Sequence, residues 1–276
     1  MKNFALRTVV GIAYVVLLVG SLLMGPTTSF LFFALVAWAT LVEFCRVVNR
    51  HAGLSVLTLL SATAGFLLVA ASWLWCWGGD VSPRWIAFYG LLLLSMPIVG
   101  LYSRPVQPLQ NWSVMLASQL YVALPFALLP LLTLNDDFSY GWQKPLALFI
   151  FIWVNDTGAY LVGSLLHKWF PWKLFPSVSP GKSWVGSIGG GVFTLLSSVL
   201  CWCWIPCNMS LPVWMGFALV VVVFGTWGDL VESQIKRQLG IKDSSHILPG
   251  HGGLLDRFDS SLLAIPATVI YFALVA

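Results

Sequence analysis

Apolar residues run along this chain in long unbroken blocks separated by short polar breaks, without the alternation of a half-buried strand. Taken block by block, the pattern predicts nine helices at roughly 6–24, 29–45, 54–77, 85–101, 112–134, 145–166, 184–206, 211–235 and 260–276. A helix needs about 20 apolar residues to cross the hydrocarbon layer of a bilayer, and these blocks are of that order. Strands are not expected, because a membrane barrel would show period-two alternation. The interior prolines Pro97, Pro125 and Pro130 are compatible with membrane helices, where neighbouring groups satisfy the freed carbonyls. The first block, behind Lys2 and Arg7, has the outline of a signal peptide. However, Gly25-Pro26-Thr27 is a poor cleavage site and another block follows at once, so it is read as a retained helix.

Composition sharpens this picture. Hydrophobic residues make up 59% of the 276 positions and charged residues 9%, against about 25% charged in a soluble domain. The mean hydropathy is +0.88. A soluble globular enzyme, a disordered regulator and a nucleic-acid-binding domain are excluded, and a net charge of +4 adds no case for nucleic acid. The five cysteines are odd in number and lie in or beside apolar runs, which argues against a disulfide framework. Cys201 and Cys203 would point about 200° apart on a helix, with no His or carboxylate nearby, so they read as small packing residues rather than metal ligands. The fold class is all-α: a polytopic integral membrane protein.

The basic residues sort the ends of the helices. If alternate breaks face opposite sides, Lys2, Arg7, Arg46, Arg50, Arg104, Lys168, Lys173, Lys182, Lys236, Arg237, Lys242 and Arg257 fall together, leaving Arg84 and Lys144 opposite. Such a bias marks the cytoplasmic side. The N-terminus and the breaks near 46–53, 102–111, 167–183 and 236–259 are therefore expected in the cytoplasm, and the C-terminus outside.

With charge so scarce, its placement carries chemistry. Five of the ten acids lie between Asp229 and Asp259, in the text DLVESQIKRQLGIKDSSHILPGHGGLLDRFD. Asp229, Glu232, Ser233 and Lys236 are spaced to share one helical face, and Asp229 closes an apolar run, where a carboxylate is costly and functional by default. Asp256 and Asp259 flank Arg257 near the start of the last block. Pro249, Gly250, Gly252 and Gly253 suit a tight loop that lets backbone approach a phosphate. Two further islands are expected on the same side: Asn155-Asp156-Thr157-Gly158, and Ser179-Pro180-Gly181-Lys182-Ser183. The second is expected to open the seventh helix as an anion seat, followed by Gly186 and Gly189-Gly190-Gly191. It is not a Walker A loop, because Pro176 stands where the first glycine would be. Carboxylates for a divalent metal, together with Lys and Arg for phosphate oxygens, are the parts of phosphoryl or nucleotidyl transfer.

The segment from Ser233 to Asp259 resembles the signature of the phosphatidate cytidylyltransferases, the CDP-diacylglycerol synthases: Ser-x-apolar-Lys-Arg, four residues, Lys-Asp, then Pro-x-His-Gly-Gly-apolar-x-Asp-Arg-apolar-Asp. The chain meets it throughout with SQIKRQLGIKDSSHILPGHGGLLDRFD, and the Asn155-Asp156 and Ser179-Pro180-Gly181-Lys182-Ser183-Trp184 islands look like flanking motifs in the right order. The resemblance covers roughly 150–260. Val185 departs from it, standing where many members carry a polar or acidic residue.

The resemblance implies transfer of CMP from CTP to phosphatidate with Mg²⁺, a second cation being left open. Asp229 and Asp256 would be the metal ligands and Asp243 and Asp259 supporting acids. Lys182, Lys236, Arg237, Lys242 and Arg257 would neutralise the substrates. Ser179, Ser183 and Asp156 would lie on the substrate side, and His251 would bond a phosphate or orient an acid. The chain is read as one continuous membrane domain, with N-terminal helices over 1–145 and the catalytic region over 146–276. The expected location is the inner (plasma) membrane. The expected partners are CTP, phosphatidate and membrane lipids, with no nucleic acid and with homodimerisation left open. A CDP-alcohol phosphotransferase would need aspartates on adjacent helical turns with an Ala-Arg element, which are missing. An ion-coupled transporter using Asp156 and Asp229 would gather its polarity at mid-membrane rather than at one face.

Overall fold

The computed structural model describes residues 2–78, 82–103, 105–135, 137–245, 247 and 252–275. Helices α1 (Lys2–Leu23), α2 (Pro26–Ala52), α3 (Thr58–Trp77) and α4 (Arg84–Ser103) are followed by α5 (Pro108–Ser118) and α6 (Leu124–Leu132), then α7 (Gln143–Leu166). After α7 come two short strands, β1 (Lys173–Phe175) and β2 (Ser179–Ser183), and helices α8 (Trp184–Trp204), α9 (Leu211–Gln238) and α10 (Leu255–Val275). Among the described residues, eight helical stretches are long and apolar enough to cross a membrane, with Arg7–Leu23 a shorter apolar helix beside them. This agrees with the nine predicted blocks and with the all-α class.

The helices α5 and α6 form one stretch because a π-helical turn, Gln119–Ala123, joins them. The Leu124 amide bonds back to the Gln119 carbonyl immediately before Pro125, which has no N–H to give. The stretch therefore runs on through a proline that would stop a helix in water.

One boundary differs from the reading by hydropathy. The last helix starts at Leu255 instead of 260, so the charged run Asp256–Asp259 forms its opening turn. Ser179–Ser183 leads into α8 at the expected place, but as a strand paired antiparallel with β1, with Lys173 opposite Ser183 and Phe175 opposite Ser179. Pro171, Pro176 and Pro180 deny this segment helical hydrogen bonds, and the chain turns back at Pro176-Ser177-Val178.

By compactness the chain forms two units, Met1–Tyr140 with Gln238–Phe258, and Gly141–Arg237 with Asp259–Ala276. In the first, Leu18, Leu22, Leu41, Met96, Met115, Phe126 and Leu129 are fully buried. Phe258 sets its ring 5.3 Å from Phe126 and 5.7 Å from Tyr14, which ties the segment after α9 to the N-terminal helices. In the second, Phe217 packs edge-to-face with Phe151 and with Phe272, each at 5.1 Å. There α7 and α8 meet through small residues. A Cβ on Gly190 would lie 2.5 Å from the Asn155 carbonyl oxygen and one on Gly186 2.9 Å from that of Ala159. Close approach of backbones through glycine is the usual way membrane helices gain contact, and Gly186 and Gly190 serve this packing.

Candidate active site

In the second unit, α9 and α10 cross where Gly228 faces Asp259 and Ser260. A Cβ on Gly228 would meet the Asp259 carbonyl oxygen at 2.8 Å and that of Ser260 at 3.0 Å. The crossing brings Asp229 and Asp259 into one electrostatic neighbourhood, which Asp156 of α7 shares and the Lys236 charge offsets. Lys182, at the end of β2, places Nζ 2.6 Å from Asp229 Oδ2. Ser233 Oγ donates to Asp229 Oδ1 at 3.2 Å, and Lys236 pairs with the buried Glu232 at 2.5 Å one helical turn on. The shared face expected of Asp229, Glu232, Ser233 and Lys236 is thus realised. Asn155 is buried and donates to Thr226 Oγ1 at 3.4 Å, while its neighbour Asp156 is exposed.

The β1–β2 hairpin is what delivers Lys182. Arg237 Nε donates to the Val178 carbonyl at the hairpin turn, 3.3 Å away, so the end of α9 holds the turn that precedes β2. Ser183 caps α8 by accepting from the Gly186 amide at 3.2 Å. Ser179 stands at the start of β2, half-buried. Trp169 and Trp172 before the hairpin are exposed, as are Lys168 and Lys173. Aromatic and basic side chains together are the usual furniture of a membrane–water boundary.

The first unit contains a second constellation, around Asp256. Its Oδ2 accepts from the Gly253 amide at 2.8 Å and from the Ser244 amide at 3.0 Å, and Ser244 Oγ lies 2.9 Å from it. Behind it lies a residue that the sequence reading passed over. Glu43 of α2, 3% exposed, accepts from Ser244 Oγ and from the amides of Leu254 (2.9 Å) and Leu255 (3.3 Å). The signal for Glu43 was present in the sequence, since an acid within an apolar block is a functional candidate by the reasoning applied to Asp229. Lys242, Asp243 and Arg257 are exposed. His251 lies outside the described residues. Among the described residues no three His, Cys, Asp or Glu side chains gather closely enough to share an ion.

Charged oxygens and ammonium groups at the ends of apolar helices can hold polyanions and cations together at a membrane surface. Comparison with known proteins decides which chemistry this is: a sequence model described as "Cytidylyltransferase family" matches residues 5–275. The chain belongs to that family. It is a polytopic membrane cytidylyltransferase, an enzyme of nucleotidyl transfer. The phosphatidate cytidylyltransferase of Staphylococcus haemolyticus is 33% identical over 260 residues, which cover 94% of this chain and 95% of that protein. The proteins of the same name from Staphylococcus saprophyticus and Staphylococcus aureus are 32% and 31% identical, with the same coverage.

Proposed function

We propose that this cytidylyltransferase moves CMP from CTP to phosphatidate, forming CDP-diacylglycerol and pyrophosphate for phospholipid synthesis. A phosphate oxygen of phosphatidate would form the new bond to the α-phosphorus of CTP, and the bond from that phosphorus to the β-bridging oxygen would break. Pyrophosphate leaves with the electron pair. The observation that carries this reading is full-length similarity to phosphatidate cytidylyltransferases, together with an unbroken signature from Ser233 to Asp259.

The phosphate of phosphatidate is already anionic at neutral pH, so no strong base is needed. What the reaction needs is relief of repulsion between two polyanions. Lys182 and Lys236, with Arg237, Lys242 and Arg257, are assigned that role, and Ser179, Ser183 and His251 are proposed to bond the phosphates. Asp229 and Asp256 are the proposed Mg²⁺ ligands, and a second cation fits the same reading. Their donors are hard oxygens, and Asp229 already holds a cation, the Lys182 ammonium. When bound, Mg²⁺ supplies charge neutralisation at the CTP phosphates and at the leaving pyrophosphate. Asp243, Asp259 and Asp156 support the electrostatics. The proposed setting is the cytoplasmic face of the inner (plasma) membrane, with the N-terminus inside and the C-terminus outside, in keeping with the distribution of Lys and Arg.

The test is an acceptor series. Purified protein given labelled CTP should label phosphatidate and leave diacylglycerol and inositol unlabelled. Labelling of either of the other acceptors, with phosphatidate inert, would reject the reading.

A further inference from the structure

Glu43 is the only acid within the helices α1–α6 themselves, Asp80 falling in the connection between α3 and α4, and it is buried. A buried carboxylate is costly unless its hydrogen bonds are complete. Glu43 directs its bonds at one short stretch: the Ser244 hydroxyl and the Leu254 and Leu255 amides. The same stretch bonds Asp256 through the Ser244 and Gly253 amides, with the Ser244 hydroxyl 2.9 Å from it. Ser244 Oγ therefore touches both carboxylates, and the backbone from Gly253 to Leu255 is clasped between them.

The two glycines of the signature follow from this clasp. Gly252 has φ +80°, and a Cβ there would sit 2.5 Å from Asp256 Oδ2. A Cβ on Gly253 would fall on the Glu43 carboxylate and on Ser244 Oγ. Each glycine is thus required by a different carboxylate, and the Gly-Gly pair records the presence of Glu43 as well as of Asp256.

We propose that Glu43 is a positioning residue for cytidylyl transfer. It locks the Gly252–Leu255 turn from beneath and so fixes the direction in which Asp256 presents its carboxylate. The proposal rests on the role assigned to Asp256 above. Glu43 itself touches neither substrate nor metal.

The test uses the full chain in lipid nanodiscs with two readouts. The first is amide hydrogen exchange at Leu254 and Leu255 in ligand-free protein, which requires no activity. The second is the Mg²⁺ concentration giving half-maximal transfer. Glu43→Gln keeps the shape and the bond to the Leu254 amide, but its NH₂ cannot accept from Leu255. It should raise exchange at Leu255 at least about 10-fold and raise the Mg²⁺ requirement at least about 10-fold. Ser244→Ala removes only the hydroxyl link and should move both readings in the same direction by less, which judges the proposal if Glu43→Gln does not fold. Gly253→Ala should reproduce Glu43→Gln. A merely structural Glu43 would lower the yield of folded enzyme and leave the Mg²⁺ requirement of the remainder unchanged. That result, with or without faster exchange, overturns the proposal. If wild-type protein transfers nothing to phosphatidate, the functional reading fails, and unaltered exchange in the variants would separately dismiss Glu43.

Discussion

Lys182 Nζ and Asp229 Oδ2 lie 2.6 Å apart, joining the end of a short hairpin to a carboxylate at the polar end of a long apolar helix. Both side chains keep about a quarter of their surface exposed (25% and 29%), so an incoming phosphate can compete with Asp229 for the ammonium. Lys182→Ala should lower turnover about 10- to 1000-fold, roughly 1.4–4 kcal/mol of transition-state stabilisation. Steady-state kinetics in CTP on well-folded protein checks this. Unchanged turnover would reduce Lys182 to an interfacial lysine.

Gly228 sets how closely α9 approaches the start of α10. Because the obstacle to a Cβ there is backbone, Gly228→Ala must displace a helix, and about 1–3 kcal/mol of stability should be lost. Activity should fall with it, since Asp229 and Asp259 would separate. At Gly225 a Cβ would meet Ser260 Cβ at 3.8 Å, an ordinary contact, and Gly225→Ala should stay within about 0.5 kcal/mol. Thermal unfolding of the two variants in one detergent gives the comparison.

The orientation proposed from Lys and Arg is open to a direct check. A reporter fused after Ala276 should behave as non-cytoplasmic, and one inserted between 167 and 171 as cytoplasmic. Both reporters on the same side would break the nine-span topology.

Asp229→Asn and Asp256→Asn retain side-chain size and remove one negative charge each. Both should insert and fold, yet lose nearly all transfer. Wild-type activity should require added Mg²⁺ and vanish with a chelator. A variant retaining more than about a tenth of wild-type turnover, a loss under about 1.4 kcal/mol, would not be a metal ligand.

Much of the fold was legible because a bilayer demands long apolar runs, and each run of the sequence became a helix. Errors arose where local chemistry outweighs hydropathy. Hydropathy puts the start of α10 five residues late, because counting charges hides that Asp256 bonds the Gly253 amide and Glu43 the amides of Leu254 and Leu255. The start of α8 after Ser183 is legible, but the hairpin ahead of it is not, because strands of three and five residues set among three prolines leave no periodic pattern. The Asp229–Lys236 face was readable from spacing alone, since a helix repeats on a fixed period. Glu43 stands out in the sequence as an acid inside an apolar block, but its partners lie some 200 residues away, and no local pattern encodes which groups it bonds.

The central claim is that the bond broken lies between the α- and β-phosphates of CTP and that the lipid phosphate is the acceptor. CTP labelled at the α-phosphorus and, separately, at the γ-phosphorus tests this in one experiment with purified protein, phosphatidate and Mg²⁺. The account predicts that the α-label enters the lipid product and the γ-label is recovered in pyrophosphate. Transfer of γ-label to lipid would mean phosphoryl rather than nucleotidyl transfer and would contradict it, as would lipid that acquires neither label.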